Sequence, residues 1–302
     1  MGDSFGLLSS WDSPVTDRIA DISNHLSDWT ALYSLGSPVS SICMSKSITA
    51  ATSFGPRCKI VVQDSARLAR DDITVLTPDK KLIYDVWTCD LADRAIVLGD
   101  IENPDKFRAL DVNSDVLALH QKQNLVYTGA RNGSIRRFDM REGSSGHPVF
   151  DDKFTPESAN SVIYMNGINE SQLLISTIRG EISLHDLRFS RGMQSIMTYS
   201  GHVGSYRHNL PHAISPCQSY LFAAGQDNRI RAWSLVTGAQ LSSPIPVYTP
   251  SRRKAHANPL AAHFEGDVTA LQVLETGKET VLFATSGQRL HIFPLGQCSN
   301  SE

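Results

Sequence analysis

Short apolar segments recur along the chain in pairs, and a polar turn separates the two members of each pair. In one copy, residues 125–129 precede the turn and residues 135–138 follow it; in another copy, the corresponding segments are 173–177 and 182–185. Segments this short, rich in β-branched and aromatic side chains and bounded by Gly, Asn or Ser, predict β-strands rather than helices. The pattern therefore indicates an antiparallel hairpin that is used repeatedly.

The hairpins are spaced evenly along the sequence. Six of their second strands can be aligned on the last residue, which is Asp64, Asp100, Asp139, Asp186, Ser234 or Pro294. The steps are 36, 39, 47, 48 and 60 residues, near the ~40–45 residues of a four-stranded propeller blade with variable loops. Even spacing of short strands favours a propeller over a sandwich. We predict an all-β propeller over residues 30–302 with six four-stranded blades, or seven, because the blade ending at Asp100 is short and degenerate.

Residues 1–29 form an extension with a different pattern. Asp12, Ser13 and Pro14 provide a capping side chain and a first-turn proline, which together predict the start of a helix. Apolar residues then recur at helical spacing, and they are Val15, Ile19, Ile22 and Leu26. This stripe predicts a short amphipathic helix that either packs on the propeller itself or binds the groove of a partner.

Composition and charge exclude several classes of function. The net charge is −3, so we expect no direct contact with nucleic acid and no attraction to an anionic membrane. The apolar segments are too short to span a bilayer. The five cysteines are odd in number and widely scattered, which favours reduced thiols and a nuclear or cytoplasmic location.

The sequence contains no arrangement of residues that predicts catalysis. It lacks the GxSxG and HExxH motifs and a complete phosphate-binding loop. His202, His208 and His212 are close in sequence, but their spacing fits metal ligands only on a helix, and this stretch is predicted to be loop and strand. We therefore expect no enzyme activity, no metal site and no cofactor.

Two Asp-x-Arg triplets end consecutive predicted blades. They are Asp139 with Arg141 and Asp186 with Arg188. An Asp at a strand end can fix the turn and orient the arginine, whose planar guanidinium suits carboxylates and carbonyls across an interface. One interpretation is that each triplet only stabilises a blade corner; the other is that both arginines form a binding patch on one rim.

These residues carry a resemblance to a known family. The chain resembles WD-repeat propellers, and from Trp87 onward it is similar to the cullin-4-associated substrate receptors, most closely the factor 4 subfamily. The characteristic stretches are 113–118, 133–141, 180–188 and 225–235. The resemblance implies that the boxes closed by Asp139 and Arg141 and by Asp186 and Arg188 bind the triple-propeller adaptor of cullin-4 ubiquitin ligases.

Two features of the sequence bear on this resemblance. Phe138 and His185 stand where the family's box has Trp, and Asn132 and Arg179 stand at its acidic turn position. Another blade has the residues of the buried hydrogen-bond network of WD repeats, which are His202, Asp227 and Trp233, although Ala224 replaces the usual hydroxyl residue. We expect these three residues to have a structural role.

We therefore predict a protein-binding substrate receptor of a cullin-4 RING ubiquitin ligase, monomeric within its complex. The alternative is a general WD-repeat scaffold for a nuclear or cytosolic assembly. The basic segment 252–256 is either a solvated loop or a nuclear signal. Substrate recognition by propellers resides in loops without a generic signature, so the sequence does not name the protein that is bound.

Overall fold

The architecture is that of a computed structural model, and it is built from β-strands. The structure describes residues 7–10, 30–36, 39–45, 48–53, 59–64, 73–76, 94–98, 107–142, 145–150, 160–189, 194–206, 210–242, 258–276, 279–287 and 289–296. None of these residues lies in a helix. The prediction of an all-β fold is confirmed. The predicted helix of Val15, Ile19, Ile22 and Leu26 lies outside the described residues.

The described strands number twenty-three. In chain order they are β1 (Leu7–Ser10), β2 (Thr30–Ser34), β3 (Val39–Ser45), β4 (Ile48–Ser53), β5 (Ile60–Asp64), β6 (Ile73–Leu76), β7 (Arg94–Leu98), β8 (Phe107–Asp111), β9 (Val116–Lys122), β10 (Leu125–Ala130), β11 (Ile135–Asp139), β12 (His147–Pro148), β13 (Val162–Ile168), β14 (Gln172–Thr177), β15 (Ile182–Asp186), β16 (Met197–Tyr199), β17 (His212–Ile214), β18 (Tyr220–Ala224), β19 (Ile230–Ser234), β20 (Gln240–Leu241), β21 (Val268–Thr276), β22 (Glu279–Ser286) and β23 (Arg289–Gly296).

Among the described residues, these strands form seven antiparallel sheets in which neighbours in sequence are neighbours in space. Four sheets have four strands, namely β3–β6, β9–β12, β13–β16 and β17–β20. Strands β21–β23 form a three-stranded sheet, and β1–β2 and β7–β8 form two-stranded sheets. Up-and-down sheets of four short strands are the repeating unit of a propeller. We call β9–β12 the Asp139 sheet, β13–β16 the Asp186 sheet, β17–β20 the Trp233 sheet and β21–β23 the last sheet.

The chain divides into two compact units, residues 1–162 and 163–302. The first unit contains β1–β12, including the Asp139 sheet. The second unit contains the Asp186 sheet, apart from Val162, together with the Trp233 sheet and the last sheet. The division of the chain at residue 30 and the blade count of six or seven stay predictions. Residues 7–10, which belong to the expected extension, pair with Thr30–Ser34 in a two-stranded sheet.

One turn geometry is repeated in the three central sheets. The N–H of Ala130 donates to the carbonyl of Ser134 at 3.0 Å, and the same bond joins Thr177 to Glu181 and Gly225 to Arg229. The fourth residue of each turn has a positive φ, and it is Gly133, Gly180 or Asn228. Glycine and asparagine tolerate this left-handed conformation better than other residues. The turn sequences therefore set the register of the hairpins.

The Trp233 sheet is apolar on both faces. Leu221 and Ala223 pack in a cluster with residues of the Asp186 sheet, while Phe222 and Ala224 pack in a cluster with residues of the last sheet. Because successive side chains of a strand point to opposite faces, a strand that is covered on both sides is apolar without interruption. This explains why residues 221–224 have no polar side chain.

The last strand differs from its sequence-based assignment. Pro294 aligns with the ends of the other strands, but β23 continues to Gly296. Its pairing with β22 shifts register between Thr280 and Val281, where Val281 pairs with Pro294. Proline lacks the N–H that a regular ladder requires, so it is tolerated at such an irregularity. The bulge lets the strand extend past the proline.

Substituting Gly146 is expected to destabilise the Asp139 sheet. A Cβ at this position would contact the Phe138 ring, with Cε1 only 2.5 Å away, and Phe138 is fully buried. Because the buried ring must shift to admit the methyl group, we expect Gly146→Ala to cost about 1–3 kcal/mol of unfolding free energy through overpacking. Urea denaturation measures this loss. A variant as stable as the wild type would contradict the close packing of Gly146 on Phe138.

Candidate interaction site

The Asp139 corner is a compact ion pair at the end of β11. Asp139 pairs across the ladder with Leu125, and its Oδ1 accepts the backbone N–H of Arg141 at 3.0 Å. Asp139 also accepts two bonds from the guanidinium, Nε to Oδ1 at 2.9 Å and Nη2 to Oδ2 at 2.6 Å. A single carboxylate thus caps the turn and orients the arginine.

The Asp186 corner repeats this geometry at the end of β15. Asp186 pairs with Gln172, and its Oδ1 accepts the N–H of Arg188 at 2.9 Å. Nη2 of Arg188 lies 2.6 Å from Oδ2, and Nε lies 3.0 Å from Oδ1 and 3.2 Å from Oδ2. The two corners therefore have the same local structure, each in its own unit. The expectation that both arginines share one rim stays a prediction.

Both corners remain ionised at neutral pH. Hydrogen bonds from Arg141 lower the pKa of Asp139 to about 2, and those from Arg188 lower the pKa of Asp186. In return, the carboxylates raise the pKa of each arginine. A depressed carboxyl pKa contributes stability that is lost only as the pH falls below the ordinary value of 3.8.

The arginine side chains are exposed although they are hydrogen-bonded to the aspartates. The side chains of Arg141 and Arg188 are 71% and 67% exposed, whereas those of Asp139 and Asp186 are 16% and 9% exposed. A guanidinium carries about five N–H donors, and the carboxylate engages only those on Nε and one on Nη2. Among the described residues, the guanidinium groups have no other hydrogen-bond acceptor, so the remaining donors of each oriented fork can bind acceptors outside the chain.

The next sheet has the same strand end without the ion pair. Ser234 pairs with Tyr220 at the end of β19, in the position that Asp139 and Asp186 occupy. Two residues further on, Val236 takes the place of the arginines and is 74% exposed. Val236 was not among the site residues predicted from the sequence, although the alignment of strand ends places it two residues after Ser234.

The three residues expected to be structural lie together in the Trp233 sheet. The indole N–H of Trp233 donates to the carbonyl of Ser200 at 2.8 Å. Nε2 of His202 lies 2.9 Å from the carbonyl oxygen of Ala224, and its ring meets the indole edge-on with centroids 6.2 Å apart. Asp227 instead pairs with Arg231, with Nη2 to Oδ2 at 2.6 Å. Arg231 was missed by the sequence analysis, and only its spacing of four from Asp227 pointed to it.

His212 is a buried neutral histidine beside this group. Its ring stacks on Tyr164 at 4.6 Å between centroids and lies 5.4 Å from the ring of His202. Nδ1 donates to the carbonyl of Leu210 at 2.9 Å, so Nε2 is unprotonated, and within the described part of the chain it has no hydrogen-bond partner. Burial lowers the pKa of His212 to about 3 and also lowers the pKa of His202.

Acidification is therefore expected to destabilise the second unit. Unfolding returns His212 to a pKa near 6.5, so the unfolded chain binds a proton that the folded chain excludes. The contribution of His212 to stability is full above pH 6.5 and falls by about 1.4 kcal/mol per pH unit below it, which amounts to about 2 kcal/mol between pH 7 and pH 5. Urea unfolding over this range measures the slope. The matched variant His212→Phe retains an aromatic ring, and an unchanged slope in that variant would refute the assignment to His212.

Two further properties concern the described residues alone. No group of three or more His, Cys, Asp and Glu side chains is arranged there to hold a metal ion. No helix there is long and apolar enough to cross a membrane.

A family model matches residues 83–280, about two thirds of the chain, and its description is the DDB1- and CUL4-associated factor 4 β-propeller domain. The chain belongs to this family. The resemblance seen in the sequence is thus confirmed, and the fold is a WD-repeat β-propeller. Members of this class are typically non-enzymatic scaffolds that bind proteins.

Curated relatives agree with this assignment. WD repeat-containing protein 21 of Schizosaccharomyces pombe is 32% identical over 132 residues, which are 42% of this chain and 30% of the relative. A second WD repeat-containing protein of the same yeast is 22% identical over 46% of this chain and 43% of its own length. The chain thus spans less than half the length of these relatives.

The fold also resembles a designed protein. The crystal structure of the computationally designed Ika8 protein matches with a TM-score of 0.50 and 16% identity, over 88% of this chain and 74% of that one. At this identity, the similarity concerns the fold alone.

Proposed function

We propose that the chain is a substrate receptor of a cullin-4 RING ubiquitin ligase and that it docks DDB1, the adaptor, through Arg141 and Arg188. The observation that supports the proposal most directly is the repeated corner, in which a partly covered carboxylate orients an exposed guanidinium. The family's description, which names DDB1 and CUL4, supports the choice of partner.

The physical basis of the docking is preorganisation. A free arginine side chain loses about 2 kcal/mol of rotamer entropy when it is fixed. Here Asp139 and Asp186 already fix the forks through several bonds each, so less entropy is lost on binding. The outward donors suit carboxylates or carbonyls, and arginine is common at interface hot spots.

The receptor itself does no chemistry in this proposal. It holds a target protein near the ubiquitin-loaded enzyme and thereby raises the effective concentration of the reacting groups. The predicted helix of Val15, Ile19, Ile22 and Leu26 supplies a second contact with the adaptor. We expect the complex to act in the nucleus or cytoplasm, where the cysteines stay reduced.

The test is affinity purification of the tagged chain from cells, followed by mass spectrometry. Recovery of DDB1 and CUL4 together is the expected result. The competing function is a general WD-repeat scaffold, which is supported by the fold and by the WD-repeat relatives. Other stable partners in the absence of DDB1 and CUL4 would overturn the receptor proposal in favour of that scaffold.

A further inference from the structure

Among the described residues, the exposed large apolar side chains of the second unit include three that lie near the Asp186 corner. Phe189 is 73% exposed, Ile196 is 53% exposed and Val236 is 74% exposed. Single exposed apolar residues are common on protein surfaces and require no explanation. The relevant question is whether these three, which we call the apolar patch, adjoin one another.

Phe189 and Ile196 flank the end of β15. Phe189 directly follows Arg188, its N–H donates to the carbonyl of Asp186 at 3.2 Å, and its ring centroid lies 5.9 Å from the guanidinium carbon of Arg188. The N–H of Ile196 donates to the carbonyl of Leu184 at 2.8 Å. Ile196 therefore directly precedes the edge strand β16 and lies beside the last residues of β15, next to the corner.

Val236 belongs to the neighbouring Trp233 sheet, in a turn that adjoins the region of Ile196. It lies in the turn between β19 and β20, which the bond from the N–H of Gly238 to the carbonyl of Ser234 closes. A Cβ at Gly238 would lie 3.0 Å from Sδ of Met197 and 3.8 Å from the carbonyl oxygen of Thr198. The turn that contains Val236 therefore rests on β16, directly after Ile196, so the residues of the apolar patch lie on adjoining parts of the two sheets.

The apolar patch is continuous with Arg188, and this determines the chemistry of its partner. Aromatic and apolar side chains around an oriented arginine form the typical centre of a protein interface. The ring of Phe189 lies within cation–π distance of the guanidinium. Val236 follows its strand end by two residues, as Arg141 and Arg188 follow theirs. The binding surface therefore changes at Val236 from ionic to apolar. A complementary partner presents a carboxylate opposite Arg188 and apolar side chains beside it.

We propose that the DDB1-binding surface extends from Arg188 across Phe189, Ile196 and Val236, so that it has an ionic half and an apolar half. This inference rests on the proposed function, since it takes DDB1 as the occupant. The two halves differ in their response to salt: screening weakens the contact of Arg188, whereas burial of the apolar patch is not weakened by salt.

The experiment measures the affinity of purified DDB1 for the full chain and its variants by biolayer interferometry. We expect Phe189→Ser with Val236→Ser to weaken binding on the order of 100-fold, which is roughly tenfold for each of the two apolar contacts. The matched control is Val203→Ser with Tyr206→Ser. These residues are also exposed, at 38% and 71%, but they belong to the loop beside Gly180, at the opposite end of β15. We expect the control to bind as the wild type does.

Salt provides a second readout that a folding defect does not imitate. Raising NaCl from about 0.1 M to about 0.5 M should weaken the wild type and the Phe189→Ser/Val236→Ser variant by the same factor, and should weaken Arg188→Ala by less. Circular dichroism melts test whether each variant is folded. If the Phe189→Ser/Val236→Ser variant is unfolded, the single variant Phe189→Ser is measured in its place.

The outcomes separate this inference from the proposed function. A wild type that does not bind DDB1 overturns the proposed function and, with it, the assignment of DDB1 to the apolar patch. A wild type that binds, together with a folded Phe189→Ser/Val236→Ser variant whose affinity stays within about threefold, overturns the extended surface alone. The extended surface is also overturned if the Val203→Ser/Tyr206→Ser control loses as much affinity for DDB1 as the Phe189→Ser/Val236→Ser variant does.

Discussion

The variant Arg141→Ala/Arg188→Ala is expected to lose DDB1 while keeping its fold. Removal of a hot-spot arginine typically costs about 2 kcal/mol or more of binding free energy, which corresponds to roughly 30-fold in affinity for each residue. If the two corners act independently, the double variant should bind on the order of 1000-fold more weakly than the wild type. Titration of purified DDB1 measures this loss.

The fold should survive because the caps do not depend on the arginine side chains. In each variant, the carboxylate still accepts the backbone N–H at position 141 or 188. What is lost is an exposed ion pair, and such pairs contribute only about 0.2–1 kcal/mol. The melting temperature should therefore change little.

The matched control is Arg137→Ala, which removes an exposed arginine from β11 outside the corner. It changes the charge of the Asp139 sheet by the same amount, so it reports any general electrostatic effect. A double variant that binds DDB1 with wild-type affinity would refute the docking role. A large drop in melting temperature with either single variant would instead identify the Asp-x-Arg pairs as stabilisers of blade corners.

Replacing Trp233 by alanine is expected to cause the largest loss of stability. The side chain is fully buried between the Trp233 sheet and the Asp186 sheet, in a cluster that includes Leu174, Leu184 and Tyr199. Truncating a buried tryptophan leaves a cavity and costs about 3–5 kcal/mol. At about 2–4 °C per kcal/mol, the melting temperature should fall on the order of 10 °C.

Trp233→Phe separates the packing of the ring from its hydrogen bond. Phenylalanine fills much of the same volume but cannot donate to the carbonyl of Ser200, so we expect an intermediate loss of about 1–2 kcal/mol. Circular dichroism melts of Trp233→Ala and Trp233→Phe measure which variant is less stable. An alanine variant no less stable than the phenylalanine variant would contradict the burial of Trp233 between the sheets.

Local features of the fold could be predicted from the sequence because neighbours along the chain decide them. Short apolar segments bounded by polar turns placed β10, β11, β14 and β15 correctly, since strand propensity and turn residues act locally. The corners at Asp139 and Asp186 were predictable for the same reason. A carboxylate reaches the N–H two residues further on without help from the rest of the molecule.

Long-range features required the tertiary structure. The sequence placed His202 in a hydrogen-bond network, but its contact with the carbonyl oxygen of Ala224 joins residues 22 positions apart. The burial of His212 depends on Tyr164, which is far from it in sequence. No periodicity reports such contacts, because they arise from the stacking of whole sheets.

The sequence alone therefore determined the hairpins that end at Asp139 and Asp186, the all-β class, the family and the two arginine corners, because each rests on local spacing or on residues in a fixed motif. The tertiary structure decided which side chains share a surface. Phe189, Ile196 and Val236 are scattered over residues 189–236, and only the packing of the Gly238 turn on Met197 brings them together. Exposure and proximity across sheets depend on the packing of the entire unit, and local sequence does not encode them.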